Sequence, residues 1–115
     1  MKADVRKSGD VIIVDLKGDL VLGDGDEVLQ DVFSELLTEG WKKILLNLSK
    51  VSRLDSSGIG ELVKGWKAAN KLGASVKLLR LGDRVKHALH ISQLLPLLEV
   101  FEEEKAALAS FEPTQ

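Results

Sequence analysis

Two adjacent serines, Ser56 and Ser57, stand in the stretch Leu54-Asp55-Ser56-Ser57-Gly58-Ile59-Gly60, and theirs are the side chains whose type and spacing best suit chemistry. A serine hydroxyl can serve as a nucleophile or accept a phosphoryl group. The nucleophile elbow of a hydrolase needs Gly-x-Ser-x-Gly, but Leu54 lies two residues before Ser56 and Asp55 two before Ser57, so that pattern is not met. Neither His87 nor His90 takes an evident triad position, and no Gly-x-x-x-x-Gly-Lys-Ser/Thr is present to cradle nucleotide phosphates. What remains is the setting. An apolar run, Ile44-Leu45-Leu46-Asn47-Leu48, precedes the serines and a helical pattern follows from Ile59, which puts both hydroxyls at a helix start. Free backbone N–H groups and the positive end of the helix dipole favour a negative group there, phosphate included. Asp and Ser are also preferred N-cap residues and glycines permit a tight turn, so capping by itself accounts for much of the motif.

Other candidate sites are weaker. Gly23-Asp24-Gly25-Asp26-Glu27 offers carboxylates but lacks the spacing and distant Glu of a calcium loop, so a turn and an acidic helix start are expected. His87 and His90, three apart on a helical pattern, have no third ligand near in sequence, and surface or packing roles are expected. The absence of Cys removes thiol catalysis, disulfides and thiolate metal sites and suits a reducing cytoplasm. No cofactor or metal is called for. The 16 Lys and Arg are interleaved with 18 Asp and Glu, without the basic stripe that would track nucleic acid. Met1 to Arg6 carries no apolar leader and no apolar run reaches membrane-spanning length, so neither export nor insertion is expected.

The elements that must position the serines follow from periodicity. Length and a 44% apolar composition suit one domain with its own core. Ala3 to Lys7 and Val11 to Leu16, joined by Ser8-Gly9-Asp10, predict a hairpin, and Gly18 to Leu22 a further short extended segment. Val28, Leu29, Val32, Phe33, Leu36 and Leu37 predict a first helix from Glu27 to a stop at Gly40. Lys42 to Leu48 is a buried strand, with Val51 to Leu54 leading into the serines. A second helix spans about Ser57 to Leu72, with Ile59, Leu62, Val63, Trp66 and Ala69 on its apolar face and Gly73 ending it. Trp66 is read as core and Trp41, if exposed, as an interface residue. Ser75 to Leu79 is a strand and Asp83 caps a helix running to Ile91. Pro96 bars continuation, Leu97 to Phe101 forms an edge strand, and Glu102 to Phe111 a last helix before a frayed tail, residues 112–115. The fold class is α/β: an N-terminal hairpin, then alternating strands and helices, giving a mixed sheet with helices packed against it. Helix starts and the carboxyl ends of parallel strands then share one edge, which carries Ser56 and Ser57.

Three segments, Gly18-Asp19-Leu20, Leu46-Asn47-Leu48-Ser49-Lys50-Val51 and Asp55-Ser56-Ser57-Gly58-Ile59-Gly60, together resemble the STAS domain, and within it the bacterial anti-sigma factor antagonists. Their order and spacing match, and the likeness extends through Gly73-Ala74-Ser75-Val76 and Leu98-Glu99-Val100-Phe101, so the domain is set at residues 1–111. The resemblance implies a cytoplasmic, non-enzymatic partner-switching protein. Its unphosphorylated form binds an anti-sigma factor that is also a serine kinase and so frees a sigma factor; phosphorylation ends the binding and a serine phosphatase restores it. The implied phosphoacceptor is Ser56, with Ser57 second. The implied partner surface is Asp55, Ser56, Ser57, Gly58, Ile59, Glu61 and Lys64, while the oligomeric state stays open. One position departs from the family. Many antagonists carry Asp or Asn after Gly-Asp/Glu-Leu, where this chain has Val21. A STAS interaction module without a phospho-switch is therefore the second reading.

Overall fold

A computed structural model describes residues 1–111, so the tail at 112–115 lies outside the described residues. Five strands, β1 (Lys2–Ser8), β2 (Val11–Leu20), β3 (Lys43–Leu54), β4 (Ser75–Leu79) and β5 (Val100–Phe101), form one sheet in the order β1-β2-β3-β4-β5. The hairpin partner β1 runs antiparallel to β2 and every other neighbour is parallel. Four helices connect or flank the strands: α1 (Gly25–Thr38), α2 (Ser56–Lys71), α3 (Asp83–Ile91) and α4 (Glu104–Ser110). The expected mixed α/β sheet is therefore present.

Register explains why some strand segments are apolar throughout. Ile12, Ile44 and Val76 align across β2, β3 and β4, as do Val14, Leu46 and Leu78. They face α1, α2 and α3 in the main core, with Leu29, Phe33, Leu62, Val85 and Leu89. The alternate residues Val11, Ile13, Leu45 and Leu79 face the other way and pack under α4, against Ala107 and Phe111. Strands covered on both faces have no solvent side, so hydrophobicity becomes continuous instead of alternating.

Several expected boundaries shift. The segment from Gly18 belongs to β2, and Val51 to Leu54 belongs to β3; register shifts at Asp15/Lys17 and Gly18/Leu20 let the two strands continue as a pair to Leu20 and Leu54. Bulges of this kind absorb an extra residue without ending a strand, and Gly18, at φ +122°, supplies the backbone conformation. Helix α1 begins two residues before Glu27, at Gly25. The cap of α3 is Gly82, with Asp83 its first helical residue, where the acid still meets the favourable end of the dipole. The edge strand is reduced to Val100 and Phe101, because Leu95–Leu97 form a 3₁₀ turn around Pro96. The last helix starts at Glu104 and not at Glu102.

The buried stripe of α2 is Gly58, Leu62, Gly65 and Ala69, while Ile59, Val63 and Trp66 are half-buried beside it. The rotation has a local cause: Phe33 of α1 lies against Gly65, where a Cβ would overlap its ring. The ring takes the space that any side chain at 65 would fill, and the helices pack closely there. Trp41 is half-buried against the core, with Lys7 Nζ 5.7 Å from its ring centre, so it is not an exposed anchor.

Candidate functional site

The carboxyl ends of β2 and β3 lie side by side, with Leu20 paired to Leu54, and the chain enters α2 directly after β3. Asp55 is the N-cap in extended conformation, as the capping reading expects, and Ser56 is the first helical residue. One carboxylate oxygen of Asp55 accepts the Gly58 N–H at 3.0 Å, satisfying a free donor of the first turn. The other accepts the Leu22 N–H at 3.0 Å. Asp55 thus joins the α2 start to the loop after β2, and the Asp55 N–H donates to the Leu20 carbonyl at 3.3 Å, closing the same contact.

These hydrogen bonds set the chemistry of Asp55. Backbone donors, Gly58 first and Leu22 second, hold its carboxyl below the ordinary carboxylate range. A carboxylate so stabilised is a poor proton acceptor, and both of its oxygens are engaged in holding the α2 start to the loop after β2. Ser56 is exposed and Ser57 half-buried. His87 and His90 are both exposed on α3, and no group of three or more metal-ligating side chains is found among the described residues.

The expected surface residues separate into two kinds. Ser56 is exposed, Ile59 and Glu61 are half-buried, and Lys64 is exposed. Gly58 is a correction: it is buried, and a Cβ there would overlap the Leu20 carbonyl oxygen. Its lack of a side chain serves the approach of α2 to β2. Gly60 is exposed with open space around it, so packing places no demand on that position. Glu61 and Lys64 also line a groove of about 290 Å³ between α1 and α2, floored by Phe33, Leu37 and Gly65.

Three neighbours of the serines escaped the sequence reading. Leu22 is 73% exposed although apolar, and its backbone is tied to Asp55. Asp19 and Arg53, at the paired ends of β2 and β3, form an ion pair in which Arg53 donates Nη2 at 2.7 Å and Nε at 3.2 Å to one carboxylate oxygen. This pairing holds the Asp19 carboxyl below its ordinary range. A signal for the pair was available, since opposite charges at the ends of adjacent parallel strands come together, but only once the register beyond the bulges is known. Val21, in place of the family's Asp or Asn, is half-buried, and its carbonyl accepts the N–H groups of Asp24, Gly25 and Asp26. Asp26 in turn accepts the Gly23 and Glu27 N–H groups, each at 2.9 Å. The acidic segment is thus a turn and helix start, as its spacing predicts.

Comparison with known proteins agrees with this geometry. The model of the STAS domain matches residues 2–107. A Thermotoga neapolitana protein, named provisionally as an anti-sigma factor antagonist, is 34% identical over 77 residues, covering 67% of this chain and 68% of that one. The anti-sigma-B factor antagonist of Staphylococcus aureus is 32% identical over 74 residues, covering 64% and 68%. Among solved structures, the Bacillus cell-fate determinant SpoIIAA in its phosphorylated form superposes with a TM-score of 0.74 at 18% identity, covering 96% of this chain and all of that one. At that identity the likeness is one of fold.

Proposed function

The chain belongs to the STAS domain family, and on that premise we propose that it is an anti-sigma factor antagonist controlled by phosphorylation of Ser56. The observation that carries the reading is the exposed Ser56 hydroxyl at the first position of α2, beside a cap that is already satisfied. The half-buried Ser57 is the less accessible acceptor. The unphosphorylated protein binds an anti-sigma factor through a surface centred on Asp55, Ser56 and Ser57, with Leu22, Ile59, Glu61 and Lys64 around it. Gly58 supports that surface from beneath.

Phosphate adds close to two negative charges next to Asp55. An interface closed over that point then meets like-charge repulsion and desolvation, while the helix dipole holds the phosphate without unfolding the domain. The kinase is the anti-sigma factor itself, and a serine phosphatase resets the switch. In this role the protein binds and is modified but catalyses nothing, and it works in the cytoplasm. No helix among the described residues is long and apolar enough to cross a membrane.

Incubation with a serine-kinase anti-sigma factor and ATP, followed by intact-mass spectrometry, tests the switch. One phosphate is expected on the wild type and none on Ser56→Ala; continued modification of Ser56→Ala would remove Ser56 from the role. The second reading, a STAS interaction module without a phospho-switch, draws on Val21, which leaves the loop beside the motif without the family's polar side chain. Under it, Ser56→Ala and Ser56→Asp bind a partner with equal affinity by calorimetry.

A further inference from the structure

Resting on Ser56 as the phosphoacceptor, we propose that Arg53 is the built-in counter-ion of the phosphoserine, held by Asp19 until phosphate arrives and then exchanged to it. Arg53 is the penultimate residue of β3, three positions before Ser56. Asp55 is the extended N-cap that joins the end of β3 to Ser56, the first residue of α2, so Arg53 stands at the strand end next to the α2 start. The field of Asp55 already acts on the guanidinium, second to that of Asp19 among charges. The Arg53 side chain is 59% exposed and the Asp19 carboxylate 29%, so the arginine is free to turn while its present partner is the more fixed of the two.

The exchange follows from the acceptors. Asp19 offers Arg53 a single oxygen, which takes both the Nε and the Nη2 donors. Phosphoserine offers three oxygens and nearly twice the charge, and the guanidinium fork suits bidentate contact. The other charges around the pair are engaged differently. Asp24 pairs with the amino terminus, Asp26 is spent on backbone N–H groups, and Arg84 and the amino terminus act on Asp19 only through space. Phosphorylation would thus change charge at two points, adding a dianion at Ser56 and freeing the Asp19 carboxylate at the end of β2.

The test uses the full chain with phosphoserine installed at position 56 by genetic encoding, read by ³¹P NMR titration. The second ionisation of phosphoserine lies at about 6 without a counter-ion. It is expected lower in the wild-type background, to rise by about half a unit in Arg53→Gln, and to be partly restored in Arg53→Lys. Asp19→Asn is expected to lower it further, and by more with Arg53 present than in the Arg53→Gln background, because only then is a competitor removed. Identical titrations of the wild type and Arg53→Gln would overturn the inference, as would an Asp19→Asn shift of equal size in both backgrounds. No kinase takes part in this experiment. A Ser56 that no kinase modifies would break the switch reading and leave the titration unchanged, so the two failures are distinct.

Discussion

The two faces of the sheet are built differently. One is covered along its length by α1, α2 and α3, which bury Ile12, Val14, Leu16, Ile44, Leu46 and Leu48. Among the described residues the other is covered only by α4, over Val11, Ile13, Leu45 and Leu79. Beyond α4 the strands carry polar residues instead. Arg6 spans Asp15 and Glu104, Asn47 Nδ2 donates to Asp15 at 2.8 Å, and the Ser49 N–H donates to Asn47 at 3.1 Å. The first face is held by shape and the open end of the second by charge. Mutations on the first should act through packing at any pH, and those on the second weakly and with strong pH dependence.

The largest expected effect comes from closing the one approach that cannot yield. Gly58→Ala sets a methyl group against a backbone carbonyl, and urea unfolding should show a loss of about 3 kcal/mol. A loss under about 1 kcal/mol would mean that α2 is free to shift, and the contrast between the faces would fail. Gly65→Ala meets the Phe33 ring, which can be shortened, so a loss of about 2 kcal/mol should be partly recovered by adding Phe33→Leu. Arg6→Ala tests the open end, where screening limits the half-exposed bridges to about 0.5–1 kcal/mol. The hydrogen bond from Arg6 is the main reason that the Asp15 and Glu104 carboxyls lie below their ordinary values. Carboxyls with a lowered folded pKa stabilise above their ordinary values of 3.8 and 4.5, and that contribution is lost as pH falls through the folded pKa. The difference between the wild type and Arg6→Ala should therefore be present at neutral pH and vanish well below the ordinary carboxylate range; a constant gap would reassign it to packing. Ser56→Asp should change stability least, by under about 0.5 kcal/mol. It should nonetheless weaken anti-sigma factor binding about tenfold or more in calorimetry, while Ser56→Ala keeps it. Together these variants separate the residues that hold the sheet edge from those that work on it.

How far this contrast could be read from the amino-acid sequence depends on the kind of contact. Val11 to Val14 and Ile44 to Leu46 are continuously apolar because helices lie on both sides of them; this marks Lys42 to Leu48 as a buried central strand, whereas Val11 to Leu16 reads only as the second strand of the hairpin. Leu46-Asn47-Leu48-Ser49 alternates because α4 no longer covers that end. Asp55 was legible as a cap because capping is local, and Ser56 came with it. What local pattern could not supply was the meeting of distant segments. Gly58 against Leu20, Phe33 against Gly65 and Arg53 beside Asp19 each depend on how two elements approach. Helix periodicity alone centred the face of α2 on its large side chains and missed the two glycines in its buried stripe. The continuity of β2 and β3 was hidden likewise, since a bulge looks in sequence like a strand end.

Lys77 belongs to the row of Ile13 and Leu45 beneath α4, and among the described residues it is the one buried charged side chain, 7% exposed. Its ammonium donates to the Ser110 carbonyl and hydroxyl oxygens, each at 2.9 Å, and lies 4.5 Å from the centre of the Phe111 ring. Glu99 pairs with the same ammonium at 3.4 Å from outside α4, so the amine is shielded chiefly on the helix side and is exposed further when that helix lifts. The rate at which Lys77 is acylated is therefore a clock for the opening of α4, running inside a protein whose exposed lysines react at once.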